Sequence, residues 1–159
     1  MTGHAAPAPG SDPAAVRALQ SALAAENAVV YGYGIVGAYL TGSMQAAATT
    51  DWVAHQVARD RLEAMLRSRG SQPAAAAAGY QLPAPVRSPA EAVSLAVTLE
   101  DRITTAYLGL VAVSSTAIRE FGALQVQASA LRAAAWRGST VPFPGLPVSV
   151  LAAPPRPGS

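Results

Sequence analysis

Glu26, His55, Arg59 and Glu100 are the residues of this chain whose types and spacing could do chemistry. Carboxylates and an imidazole suit iron or manganese as ligands, and the same groups give and take protons. Their neighbours set them apart. Glu26 falls among Leu19, Leu23, Val30 and Tyr33, and Glu100 lies between Ala96 and Ile103 with Tyr107 beyond. His55 and Arg59 follow Trp52 and precede Leu62 and Leu66. Each set recurs at alternating spacings of three and four, which places each charged group on an apolar helix face. A carboxylate in that position is costly unless it is paired, protonated or bound to metal. Three helices therefore aim polar groups at the middle of one core.

A dinuclear carboxylate centre in a four-helix bundle takes one Glu from each of two helices and a Glu-x-x-His pair from each of the other two. Here Trp52 stands three residues before His55, where a bridging Glu would be needed, and the fourth helix has no acid or histidine on its best apolar stripe. Asp60, Glu63 and Glu120 lie off the stripes, although a shift of register brings Glu63 or Glu120 nearer. Arg59, a permanent cation, repels a metal and can instead neutralise Glu26 or Glu100. The leading expectation is thus a buried Glu–Arg–Glu network with His55 attached, holding no metal or other cofactor and fixing how the helices pack. Asp60, Glu63, Tyr33 and Tyr107 are secondary members of this candidate site. The alternative is a reduced iron or manganese site using Glu26, His55 and Glu100, in an oxidoreductase or metal-storage protein. A third arrangement is a ligand pocket lined by Tyr31, Tyr33, Tyr107 and Arg59. Whether the chain is an enzyme stays open, and no catalytic residue is assigned. A non-catalytic binding or interaction protein is expected to be a homodimer with a further, unidentified protein partner.

Four helices must position these groups. Ser11 or Asp12 followed by Pro13 is a helix start, and the first helix is expected over about 13–42. Its successor begins near Met44, or at a cap at Thr50 or Asp51, and stops at Gly70. Residues 71–87 lose the pattern among Pro73, Gly79, Pro83 and Pro85. Ser88-Pro89-Ala90-Glu91 is a capping box with proline in the first turn, with Glu91 expected to return to the Ser88 amide. The third helix runs from there to about Val113, and the fourth from Ser114-Ser115-Thr116 to Gly138, with Ile118, Phe121, Leu124, Ala128, Leu131 and Ala135 inward. No strand-like alternation appears, so the class is all-α. Short links give two antiparallel hairpins, whereas about 17 residues of crossover at roughly 3.3 Å each can run the length of a helix of about 38 Å. The domain is expected at 13–147, between disordered segments at 1–12 and 148–159, with Phe143–Leu146 packing on its end.

Composition removes other classes. The chain has 159 residues, 51% hydrophobic and 13% charged, which suits one globular domain. It has no cysteine, so thiolate metal sites and thiol chemistry are excluded. All basic residues are arginines scattered without a run, and the net charge is +2, so no nucleic-acid or membrane-surface footprint is built. No apolar stretch reads as a membrane span or a signal peptide, and a cytoplasmic location is expected. Gly32-Tyr33-Gly34 lacks a preceding strand and is no dinucleotide fingerprint, and no G-x-S-x-G elbow occurs. His4 reads as a solvated side chain.

Taken together, several segments resemble a known family. They are Ala18 to Glu26 (ALQSALAAE), Tyr31-Gly-Tyr-Gly, His55 to Leu62 (HQVARDRL), Tyr80 to Val86 (YQLPAPV), Leu99-Glu100, and Trp136-Arg137 with Phe143 to Leu146. Over about residues 14–147 the chain resembles the actinobacterial ferritin-like family known as a domain of unknown function (4439). Its lack of lysine and its Ala, Arg and Pro bias also look like a high-GC actinobacterium. The resemblance implies a cytoplasmic ferritin-like four-helix bundle of two antiparallel hairpins joined by a long crossover. Its motif positions here are Glu26, His55, Arg59, Asp60 and Glu100, and it implies no reaction.

Overall fold

In a computed structural model, residues 12–139 are described; the expected terminal segments 1–12, apart from Asp12, and 148–159, together with His4 and the Phe143–Leu146 contact, lie outside them. Within those residues four helices and no strand form, and the class is all-α. Helix α1 spans Pro13–Tyr39, with Pro13 in its first turn and Asp12 accepting the Ala14 amide proton at 2.9 Å. It ends where Leu40 turns extended, three residues short of the expected stop, because Leu40 itself buries its side chain in the core. Gly42, at a φ of 61° that only glycine adopts freely, opens α2, Gly42–Arg67. The early start near Met44 is thus right, and the later caps at Thr50 or Asp51 are interior to the helix.

Helix α3 spans Pro89–Val111 and α4 spans Thr116–Arg137, the latter ending on Gly138 at a φ of 74°. Ser88 accepts the Glu91 amide proton at 3.3 Å, as a capping box requires. The return bond differs: Glu91 Oε2 accepts from the Arg87 amide at 2.7 Å, one residue upstream of the expected partner. Either amide satisfies a donor that the helix start would otherwise leave open.

The chain rises in α1, descends in α2, climbs back through residues 68–88, descends in α3 and rises in α4. Gln20 pins the start of the crossover, donating to the Gln72 carbonyl at 2.7 Å and accepting from the Ala74 amide at 3.0 Å. Further along, Tyr80 tilts against Tyr31, Leu82 leans on the core and Val86 is buried. Asp12 at the foot of α1 accepts from Ser114 at the foot of α3, which fixes these two helices as antiparallel neighbours. The bundle is therefore two antiparallel hairpins joined by a long crossover.

Helix α1 packs on α2 and α3, and α3 on α4, while α2 and α4 approach each other only sparsely. The α3–α4 contact corrects the expected face of α4. Its buried residues are Ile118, Gly122, Ser129 and Ala133, whereas Leu124 and Leu131 are 63% and 71% exposed. The reason is steric. A Cβ at Gly122 would stand 2.7 Å from Leu110 Cβ, so α3 closes on α4 along its small residues, and the large ones are turned aside. Phe121 keeps an edge contact with Tyr107, with ring centroids 5.9 Å apart.

Candidate functional site

Glu26, His55 and Glu100 come from α1, α2 and α3, and all are fully buried. Each follows a stripe that had to turn inward: Leu19, Leu23 and Tyr33 around Glu26, Ala48, Ala58 and Leu62 around His55, Ala96 and Ile103 around Glu100. The imidazole lies between the two carboxylates. Nδ1 is 2.9 Å from Glu26 Oε2 and Nε2 is 2.9 Å from Glu100 Oε1. Carboxylates only accept, so both contacts are hydrogen bonds at once only when both ring nitrogens carry protons.

The charge follows from that geometry. Burial disfavours the imidazolium and is the largest single influence. The hydrogen bonds and charges of Glu100 and Glu26 outweigh it and push the His55 pKa up to about 9. Two tyrosines complete the cluster. Tyr33 donates to Glu100 Oε1 at 2.5 Å, and Tyr107 donates to Glu26 Oε1 in a short hydrogen bond. Burial first, then the adjacent carboxylates, raise the pKa of both phenols, so they remain donors. The Tyr33 ring also stacks on His55, with centroids 5.3 Å apart.

The arginine of this network is Arg132 of α4, not Arg59. Arg132 Nε donates to Glu100 Oε1 at 3.1 Å, and its guanidinium also reaches Ser129 Oγ at 3.3 Å. Arg59 turns outward and binds the neighbouring Asp60 through Nε at 2.9 Å and Nη2 at 2.7 Å. It sits at the edge of the α2 stripe, and its long stem carries the guanidinium to water without a desolvation cost. Asp60 and Glu63 are likewise outside the cluster, Glu63 pairing with Arg67 one turn on. Trp52 is 38% exposed and donates from Nε1 to the Val30 carbonyl at 3.0 Å, so it caps the edge of α1 and not the core. Tyr31 is 40% exposed, whereas Tyr33 and Tyr107 are fully buried as donors to the carboxylates.

Two further residues extend the network to the surface between α2 and α4. Asp51 Oδ2 accepts from Trp136 Nε1 at 2.8 Å and lies 3.5 Å from the Tyr33 hydroxyl. Burial raises the Asp51 pKa, against the Trp136 hydrogen bond. A continuous file of polar groups thus runs from Asp51 through Tyr33, Glu100, His55 and Glu26 to Tyr107. Sequence spacing gave no signal for Arg132 or Asp51, because both flank apolar stripes; the small-residue series Gly122, Ser129 and Ala133 was the available clue to the true face of α4.

Both imidazole nitrogens face carboxylate oxygens, and the carboxylates stand on opposite sides of the ring. Among the described residues no group of three or more His, Asp or Glu is placed to hold a metal. Nor is any described helix long and apolar enough to cross a membrane. One buried oxygen, Glu100 Oε2, has no hydrogen-bond partner, whereas Oε1 of the same carboxylate faces three donors.

Fold and centre define a class: an all-α bundle whose four helices meet on a histidine clamped by two glutamates. The family model described as a domain of unknown function (DUF4439) matches residues 18–148, continuing past the end of α4, and the chain belongs to that family. It is similar to the crystal structure of a conserved hypothetical protein, rv2844, from Mycobacterium tuberculosis. That match has 36% identity and a TM-score of 0.78, covering 80% of this chain and 98% of the other. No curated protein matches the sequence.

Proposed function

We propose that this chain is a non-catalytic binding or interaction protein of ferritin-like architecture, with a metal-free centre that serves to hold its helices together. The observation that carries the reading is the occupation of both His55 nitrogens, each 2.9 Å from a carboxylate. Around the imidazole, two formal negative charges, Glu26 and Glu100, face two formal positive ones, imidazolium and Arg132. Groups that would have to release a proton and swing apart to meet a metal are instead bound to each other. A paired, hydrogen-bonded cluster of this kind specifies packing, and a homodimer remains the assembly we expect.

The test is elemental analysis of protein purified without chelator or metal-binding tag, before and after anaerobic loading with ferrous iron. Negligible iron and manganese in both samples, in native protein and in Glu26→Gln, is the expected result. One or two equivalents of either metal, lost in Glu26→Gln, would overturn the reading in favour of an iron- or manganese-binding relative using Glu26, His55 and Glu100.

A further inference from the structure

Between α2 and α4 lies a groove with room for about 550 Å³. Sites for small molecules commonly hold roughly 300–1,000 Å³ and combine apolar walls with a few placed polar groups. The apolar walls here are Met44 and Ala47 of α2 and Leu131, Ala135 and Trp136 of α4. Two charged residues, Asp51 and Arg132, line the same groove from the two helices. Both are held from behind. Asp51 Oδ2 accepts from Trp136 Nε1 and faces the Tyr33 hydroxyl, while Arg132 commits Nε to Glu100 and Nη2 to Ser129. Their other ends are open. Among the described residues neither Asp51 Oδ1 nor Arg132 Nη1 has a hydrogen-bond partner, neither atom is buried, and no ion pair joins the two residues. A carboxylate and a guanidinium thus present free, opposite charges to one apolar space without meeting each other.

We propose that this groove binds a small zwitterion with an apolar side chain, the chemistry of a free apolar α-amino acid, with its ammonium on Asp51 Oδ1 and its carboxylate on Arg132 Nη1. Charge is the first argument. A simple anion drawn to Arg132 would meet the Asp51 carboxylate, and a simple cation drawn to Asp51 would meet the guanidinium. A head that carries both signs satisfies both groups and bridges the gap that keeps them from pairing directly. Preorganisation is the second. Each charged group is fixed by hydrogen bonds that a ligand does not have to break, so little side-chain freedom is lost on binding. The apolar surface is the third. Leu131 is 71% exposed and Met44 43%, and an apolar side chain laid over the small Ala47 and Ala135 would cover both. The inference rests on the binding reading given above and names what is bound. It does not require the centre to be free of metal, so elemental analysis and ligand titration can fail separately.

The chain has only two tryptophans, and Trp52 lies outside the groove, so Trp52→Phe in the full chain leaves Trp136 as the one indole reporter. Titration with L-phenylalanine or L-leucine should shift its emission saturably. 3-Phenylpropionate, which lacks the ammonium, and phenethylamine, which lacks the carboxylate, should each bind roughly tenfold or more weakly than L-phenylalanine, the loss expected for one hydrogen bond to a charged group. Asp51→Asn should abolish the preference for L-phenylalanine over 3-phenylpropionate, a change that a merely structural Asp51 would not produce. Ala47→Phe, which fills the groove without touching either charged residue, should abolish binding at an unchanged melting temperature. The proposal is overturned if millimolar L-phenylalanine and L-leucine both leave the emission without a saturable shift. Equal affinity for either single-charge analogue would overturn it as well, as would full binding in folded Ala47→Phe.

Discussion

Raising the pH from 6.5 to about 9.5 should destabilise this protein in a way that isolates a single proton. His55 moves from an ordinary pKa of 6.5 to about 9 in the folded chain. A folded pKa above the unfolded one means that the native state holds its proton more tightly. The stabilisation is therefore fully present below about 6.5 and is lost as pH rises through about 9. At 1.36 kcal/mol per pH unit the full loss is about 3 kcal/mol, a large share of the 5–15 kcal/mol typical of a domain. Composition makes the measurement clean. The chain has no lysine and no cysteine, so apart from the amino terminus little else titrates between pH 7 and 9. Urea unfolding at half-unit intervals should give midpoints that fall steadily through this window. In His4→Gln, which leaves His55 as the one histidine, imidazole resonances should titrate near pH 9 with both nitrogens protonated at neutrality. Stability that is flat from pH 6.5 to 9.5, or a His55 midpoint at or below 6.5, would refute the doubly bonded imidazolium.

Two contrasts test the packing. Arg132→Met should cost about 2 kcal/mol in urea unfolding because it strips a charged donor from buried Glu100, whereas Arg59→Ala should cost under about 0.5 kcal/mol because its pair with Asp60 is exposed. Equal effects, or a larger one at Arg59, would reverse the assignment of the network's arginine. Gly122→Ala should cost roughly 1–3 kcal/mol, since its Cβ would strike Leu110 Cβ at 2.7 Å beside the α3 backbone. Gly32→Ala, which meets only the movable end of Leu99 at 2.6 Å, should cost less, and the reverse order in melting temperature would contradict the packing described.

Much of this was legible from spacing alone. Glu26, His55 and Glu100 each interrupt a clean three-four stripe, and helices must bury such stripes whatever else they do, so their convergence could be inferred. The caps at Asp12 and Ser88 and the stop at Gly138 follow from local chemistry and were equally readable. Arg59 was misplaced because a residue one turn from His55 shares its approximate face, and the wheel says nothing of where a long flexible side chain ends. The face of α4 was misplaced for a different reason. Hydrophobic periodicity finds the large residues, but close helix contact is made by small ones, and Gly122, Ser129 and Ala133 carry almost no hydrophobic signal. With the face turned, Arg132 could not be seen as the missing cation.

The crossover divides the chain into two hairpins, and the charges divide with it. The first half, α1 and α2, holds one acid and one base at the centre, Glu26 and His55; the second, α3 and α4, also holds one of each, Glu100 and Arg132. Neither half confronts the other with an excess of like charge as they close. The final contact, His55 against Glu100, is the ion pair that joins one half to the other. A cut within residues 68–88 would thus leave Glu26 with His55 on one piece and Glu100 with Arg132 on the other, and would divide only the His55–Glu100 pair between them.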